Sequence, residues 1–365
     1  MGYKVDILLA VAQRGGVENI INLMIPYLRN NRGWKIRVVQ LVWEGNRWTD
    51  EDADFHPLLE GRKGHHLEEF VSAYAKFLKE NGSPDVVLAT AWPYMCYVAK
   101  KACNMVGMPD TKVVSWLHAP VERYEAAGFG GYAHLALADA HLAISKLIAG
   151  SITSNLPEAQ VLEVKNPVDF TKCNPMYIKS TLKKTEFKKL YFVGRLSKEK
   201  RLDVIVKALQ GLGGMWKLYI IGDGENVEFI NKMKQLADEC QLEEDICWMG
   251  WQPRPWELAG EADALILASD YEGFPLVAIE ALSNGIPVIS TPVSGIVELI
   301  KPGVNGYIFA NGDWQMLHQI LLMIATNQFP AIDPEVCKQS VAEHTPETAL
   351  ADFAAKVESL LSATK

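Results

Sequence analysis

Apolar and polar positions follow two rhythms along the chain. Short apolar runs punctuated by Gly, Pro and Asp recur almost from end to end: KVDILLAV, IRVVQLVW, DVVLAT, KVVSWLH, AHLAIS and QVLEV, then LYFVGR, KLYIIGDG, ICWMGW, DALILAS and IPVIS. Runs of this length and continuity predict strands buried on both faces. Between them lie stretches such as VENIINLMIPYLRN and VEFINKMKQLADEC, whose apolar residues recur with helical periodicity. Strand–helix alternation predicts parallel sheets joined by βαβ crossovers. The rhythm breaks at NPVDFTKCNPMYIKSTLKKTEFKK, residues 166–189, where two Asn-Pro pairs and a lysine cluster read as a solvated connector. The expected organisation is α/β, with two Rossmann-like, doubly wound parallel-sheet domains facing a cleft. The first covers residues 1–168, a linker 169–189, and the second domain 190–345. The last amphipathic pattern, over 346–363, is expected to cross back and pack on the first domain.

Composition narrows the class. The chain has 365 residues, a length that suits two cores, and its net charge of −8 argues against general nucleic-acid binding. Its six cysteines form no C-x-x-C pair, which fits reduced thiols. No apolar run reaches the ~18 residues of a membrane span, and the N-terminal run is too short for a signal peptide. Asp6 stands where a myristoylation signal requires Ser or Thr. A cytoplasmic protein is expected.

In open α/β sheets, ligands collect beyond the carboxyl ends of the strands. At one such end, SDYEGFPLVAIEALSNGIPVIS places Glu272 in a Gly-Pro turn and Glu280 in the helix that follows, with Pro275 at the expected first helical position. The free N–H groups of that helix start form an anion site, with a carboxylate on either side. A phosphate flanked by hydroxyl groups describes a sugar nucleotide. In FVGRLSKEKRLD a strand ends at Gly194, and Arg195, Lys198, Lys200 and Arg201 gather before a helix. Arg suits bidentate contact with phosphate oxygens and Lys adds a mobile charge, a set that would stabilise a diphosphate leaving group.

In AVAQRGGVENII, Gly15 and Gly16 end a strand and open a helix, so backbone N–H groups are presented to a ligand. GDGENV lacks the third glycine of a dinucleotide fingerprint and reads as a tight turn. His118, at a strand end before Pro120, is either structural or directed at the ligand side. TDEDAD, residues 49–54, contains overlapping D-x-D but lies in a polar loop, and reads as solvated rather than metal-binding. No metal-ligand spacing, P-loop or G-x-S-x-G is present.

Taken in order, GGVE, HAP, VGRLSKEKRLD, IIGDGE and EGFPLVAIEALSNGIPVISTPVSGIVELI resemble glycosyltransferase family 4, whose members are retaining, metal-independent enzymes of the GT-B fold. WKLYIIGDG, WMGWQPRPWEL, ADAHLAIS, VSGIVELIKPGVNGYIF and SWLH are similar to the branch that holds the lipopolysaccharide 1,6-galactosyltransferases.

The resemblance implies roles. Glu280 would hold the ribose, Glu272 the donor sugar, and the backbone of Gly273, Phe274, Pro275, Leu276 and Val277 the sugar and phosphate. Arg195 and Lys200 would neutralise the diphosphate, with Gly194 and Gly222 lining the donor site. Trp251 and Gln252 would receive the base. Gly15 and Gly16 would reach the phosphates from the first domain, and His118 would face the transferred sugar. No protein nucleophile is required, so the two-carboxylate logic of glycoside hydrolysis is not imposed on Glu272 and Glu280.

The implied partners are a UDP-hexose donor, galactose or glucose, and a glycan or lipid-linked glycan acceptor. Neither cofactor nor metal is expected, and contact with the inner membrane face stays open. Acceptor determinants are expected in residues 43–66 and 121–132. Ser294 replaces a glycine common in the family, which leaves the donor sugar open. Two other readings remain: a sugar-nucleotide-binding partner subunit without catalysis, and a nicotinamide-dependent oxidoreductase, against which the incomplete glycine fingerprint counts.

Overall fold

The computed structural model of the chain describes residues 2–12, 15–61, 66–173, 187–224, 226–259 and 262–362. It divides into two compact units, one of Met1–Pro167 with Pro346–Lys365, the other of Val168–Thr345.

The first unit is built on a parallel sheet of β1 (Lys4–Leu9), β2 (Lys35–Trp43), β3 (Asp54–Glu60), β4 (Val86–Thr90), β5 (Lys112–Leu117), β6 (Ala140–Ala143) and β7 (Val161–Glu163). Their spatial order is β3-β2-β1-β4-β5-β6-β7. The chain direction across the sheet reverses between β1 and β4, the switch point at which such sheets bind ligands. β1 and β4 are almost wholly buried, which explains their unbroken apolar runs. Asp6 on β1 is a buried charge. Arg37 donates to both its oxygens, at 2.6 and 2.9 Å, and Tyr74 adds a hydroxyl at 2.8 Å. Burial pushes its carboxyl above the usual range, against the pull of Arg37.

The segment 43–66, expected to carry acceptor determinants, contains β3, which is not among the strands read from the pattern. Pro57 and the acidic run before it hide the strand. At the sheet edge, however, a strand pairs on one side only, and there Pro57 is tolerated opposite Gln40. The TDEDAD turn is wound on Arg47, which donates to the carbonyls of Asp50, Glu51 and Ala53, while Asp52 pairs with Arg29.

The terminal helix Pro346–Ser362 belongs to this unit. It buries Leu350, Phe353, Ala354, Val357 and Leu361 along one face. Phe353 meets Trp116 at 5.3 Å between ring centroids, and Trp34 Nε1 donates to Glu358 at 3.2 Å.

The second unit is built on β8 (Lys188–Val193), β9 (Trp216–Ile221), β10 (Ile246–Gly250), β11 (Ala264–Leu267), β12 (Val288–Ser290) and β13 (Gly306–Ile308). These are ordered β10-β9-β8-β11-β12-β13, all parallel among the described pairs. Its switch point lies between β8 and β11. Leu190, Phe192, Leu218, Ile220, Ile266 and Ile289 form the sheet side of the core; Val204, Ile205, Leu317 and Leu321 cover it. β8 opens at Lys188, inside the segment read as linker, and Phe170–Cys173 is a short helix there. The lysine cluster at 179–184 lies outside the described residues. β13 is not among the strands read from the pattern, because GYI is too short to show periodicity. Among the described residues no helix is long and apolar enough to cross a membrane.

Candidate active site

In the second unit, the residues singled out from the sequence converge at the carboxyl ends of β8 and β11, astride the switch point. β8 runs into Gly194, exposed Arg195 and a 3-10 turn over Lys198–Lys200; β11 runs into Ser269–Gly273 and then the helix Leu276–Ser283. The two turns are fastened together. The Asp270 N–H donates to the Glu199 carbonyl at 2.8 Å, Arg201 Nη1 meets Asp270 Oδ1 at 3.0 Å, and Lys200 forms an ion pair with Glu272. Asn311 adds a bond to the Asp270 carbonyl at 3.2 Å. The basic turn and the acidic turn therefore form one rigid element.

Arg201 departs from its place in the basic cluster. With φ at 49° it sits in the left-handed region, and its guanidinium is committed to Asp203 and Asp270. It holds the turn, and Arg195 and Lys200 have no contact with these two carboxylates among the described ion pairs.

Glu272 Oε1 accepts from Ser269 Oγ at 2.9 Å as well as from Lys200, and both ion-pair partners are largely covered, at 15% and 20% side-chain exposure. Ser269 is itself 1% exposed and its carbonyl accepts from Thr291 at 2.6 Å, so the carboxylate stands on a fixed support. Glu280, one turn into the helix, accepts from Trp256 Nε1 at 2.8 Å through Oε2. Burial pushes its carboxyl above the usual range, and the Trp256 bond pulls the other way.

Ser269 and Trp256 are absent from the sequence reading. Ser269 was within reach, three residues before Glu272. Trp256 lies 24 residues before Glu280, and no local spacing links them.

Pro275 is the residue before the helix rather than its first residue, and the helix has no side-chain cap. Its opening N–H groups, at Leu276 and Val277, have no partner within the helix, the arrangement that suits an anion. The Phe274 side chain does not join this site. It is 8% exposed and lies against Gly295, where an added Cβ would come within 2.6 Å of the ring, and against His344 at 5.4 Å. Phe274 anchors the turn through its side chain.

Gly194 and Gly222 have a structural reason of their own. Gly194 donates to the Ile221 carbonyl at 3.0 Å, and a Cβ on Gly222 would lie 1.8 Å from the Gly194 oxygen. Gly224 repeats this against Leu196 at 2.3 Å. The glycines let the ends of β8 and β9 touch, which brings both turns to the same edge. Trp251 is 65% exposed just past β10, and Gln252 folds back on the Met249 carbonyl at 2.9 Å.

The first unit carries the remaining residues. Gly15 precedes the helix Gly16–Arg32 with no side-chain cap, and both glycines are exposed; Gln13 and Arg14 lie outside the described residues. His118 follows β5. Its backbone N–H and that of Ala119 bond to the Tyr124 hydroxyl, and its ring lies 4.6 Å from that of Trp116. The buried Nε2 has no partner among the described residues, and burial pushes the imidazole down to about 3. His118 is therefore neutral at physiological pH. Among the described residues no three His, Cys, Asp or Glu are grouped to hold a metal ion.

Comparison with known proteins agrees with this arrangement. The family model for glycosyl transferases group 1 matches residues 175–344. The lipopolysaccharide 1,6-galactosyltransferase of Escherichia coli is 35% identical over 251 residues, 67% of this chain and 66% of that protein, so the match spans just under two thirds of that relative. The Salmonella typhimurium enzyme of the same name is 34% identical over 262 residues, covering 69% of this chain and 67% of its own length. Among solved structures, the apo form of the lipopolysaccharide outer core galactosyltransferase WaaB superposes with a TM-score of 0.81 at 26% identity, over 98% of this chain and 99% of that one. Anabaena HepE, solved with UDP and glucose, superposes at 0.80 over 98% of this chain and 100% of that one; at 17% identity this likeness concerns the fold. With two Rossmann-like parallel sheets of the GT-B fold and its basic and acidic turns locked at one switch point, the chain belongs to the glycosyl transferases group 1 family.

Proposed function

We propose that this chain is a retaining, metal-independent glycosyltransferase that moves a hexose, galactose or glucose, from a UDP-sugar to a glycan acceptor of the lipopolysaccharide or envelope-polysaccharide class. The observation that carries the reading is the fastened pair of turns, in which Lys200 and Glu272 are already in contact beside an uncapped helix start.

In this scheme the diphosphate rests on the N–H groups of Leu276 and Val277 and on Arg195. Lys200 passes from Glu272 to the phosphate, and the released carboxylate accepts hydrogen bonds from the sugar hydroxyls. As the bond from the anomeric carbon to the phosphate oxygen breaks, charge builds on UDP and the two cations stabilise it. Glu280, held by Trp256, takes the ribose hydroxyls. Trp251 and Gln252 receive the base. Gly15, Gly16 and His118 are assigned to the reaction through the family resemblance, as are retention of configuration and metal independence. The names of the relatives favour galactose and a lipopolysaccharide acceptor.

The test is a donor screen on the purified protein, with EDTA present, using UDP-galactose, UDP-glucose, UDP-N-acetylglucosamine and GDP-mannose. Mass spectrometry follows the slow release of nucleoside diphosphate to water. Release from one UDP-hexose, lost in Glu272→Ala, is the expected result. Release from none, together with no calorimetric binding of UDP, overturns the reading; release that needs added Mg²⁺ overturns the metal-independent part.

A further inference from the structure

The first unit concentrates uncommon backbone around one aromatic stack. β4 ends at Thr90, and the next residue, Ala91, has φ at 67°, a left-handed conformation that non-glycine residues adopt rarely and at a cost. Its N–H bonds to the Trp116 carbonyl at 3.0 Å on β5, fixing the turn that follows. That turn delivers Trp92, whose ring lies flat on Phe129, with centroids 4.0 Å apart and planes 1° from parallel. Tyr94 meets both rings edge-on, at 5.5 and 6.4 Å.

The loop carrying Phe129 is equally constrained. Gly128 and Gly130 have φ of 79° and 93°, and a Cβ on Gly130 would come within 2.8 Å of the Tyr94 nitrogen. The Tyr94 N–H donates to the Phe129 carbonyl at 3.3 Å. Glu125 closes one side, its Oε1 only 2.6 Å from where a Gly131 Cβ would stand. Trp92, Tyr94 and Phe129 are nevertheless partly exposed, and Glu125 is exposed. A stack needed only for the core would be covered. Here the left-handed Ala91 and the Phe129 loop hold an indole at the surface, at the carboxyl end of the sheet, and the Glu125 carboxylate packs against the same loop at Gly131. β4 pairs with β5 in the register Thr90↔Trp116, so Trp92 stands beside the strand end that carries His118.

We infer that Trp92, stacked on Phe129 in the loop that Glu125 packs against, is a subsite for a pyranose ring of the acceptor glycan. The C–H face of a hexopyranose suits an indole surface, and its ring-edge hydroxyls suit a carboxylate. The inference rests on the glycosyltransferase reading and adds the acceptor residue that the chain recognises. Trp92 and Glu125 are binding residues here, with no part in bond breaking.

The test reads binding apart from catalysis. Saturation-transfer-difference NMR is recorded on the full chain with methyl α-D-glucopyranoside and methyl α-D-galactopyranoside, with UDP present in excess to occupy the donor site. Signal is expected on the ring C–H protons of at least one glycoside, lost in Trp92→Ala and largely restored in Trp92→Phe. In the same preparations, hydrolytic release of nucleoside diphosphate should stay within about twofold of wild type. Absence of signal in the wild type, or signal unchanged in Trp92→Ala, overturns the subsite. A Trp92→Ala variant that loses hydrolysis to the same extent as glycoside binding also overturns it, because Trp92 then supports the fold or the donor side. Failure of the wild type to hydrolyse any sugar nucleotide or bind UDP is a failure of the parent reading, seen before the NMR begins.

Discussion

Glu280→Gln separates what the site needs from what the fold tolerates. The carboxylate sits where burial disfavours its charge, held by one indole N–H at 2.8 Å. Glutamine keeps the length and can still accept from Trp256, but carries no charge. A hydrogen bond to a charged group contributes about 1.5–3 kcal/mol and a neutral one about 0.5–1.5. The ribose contact should therefore weaken by about 1.4 kcal/mol, a roughly tenfold rise in the Kd for UDP. Stability should move the other way, since replacing a charge held in a covered position by a neutral isostere is often stabilising, by ~1 kcal/mol or more. For a domain of this size that is about 2–4 °C in Tm.

The pH dependence fixes the cause. A carboxyl whose folded pKa is raised favours the fold at low pH, and that contribution is lost as pH rises through the folded value. The advantage of Glu280→Gln should then be small near pH 5 and larger near pH 8. Isothermal titration with UDP and thermal melts across pH 5–8 supply both readouts. An unchanged Kd refutes the ribose assignment. A Tm that falls by several degrees at every pH shows instead that the carboxylate is a structural anchor.

Three further outcomes follow from the same geometry. Arg195→Ala removes an exposed cation, so donor turnover should fall by about 10–100-fold, from a charge-assisted bond of ~1.5–3 kcal/mol, with Tm unchanged; near wild-type turnover removes Arg195 from leaving-group stabilisation. Gly222→Ala drives a Cβ to 1.8 Å from the Gly194 carbonyl and should cost at least ~2 kcal/mol, lowering Tm by roughly 5 °C or more; a melt within a degree of wild type would show that the ends of β8 and β9 separate easily. Because burial holds the His118 imidazole down at about 3, the turnover–pH profile should show no His118 limb between pH 5 and 8. A limb near pH 6.5 that disappears in His118→Asn would show that the ring is solvated in the working enzyme.

Much of the architecture is legible from pattern because most of it is local. β1, β4 and β11 are almost wholly buried and β8 is buried over Leu190–Phe192, so each shows as a short apolar run bounded by polar or Gly positions. β3 and β13 escape because an edge or three-residue strand needs only partial burial, and Pro57 on an edge looks the same in sequence as Pro in a loop. The site divides along the same line. Glu272, Pro275 and Glu280 share one turn and helix, and their spacing states the chemistry. What the spacing does not contain is the support from elsewhere in the chain: Lys200 72 residues from Glu272, Trp256 24 from Glu280, Asp270 69 from Arg201. Those pairs form only because parallel strands bring their carboxyl ends to one edge of the sheet: β8 and β11, which lead to Lys200 and Glu272, are neighbours, while β10, which leads to Trp256, lies two strands beyond β8. The same condition explains why Arg201 reads as a phosphate ligand until its acidic partners are seen. A cation in a basic turn is free for substrate only if the fold has not already spent it on a carboxylate. In this chain Arg201 is committed to the turn on both sides, Lys200 is shared with the carboxylate proposed to meet the sugar, and Arg195 stands exposed at the strand end.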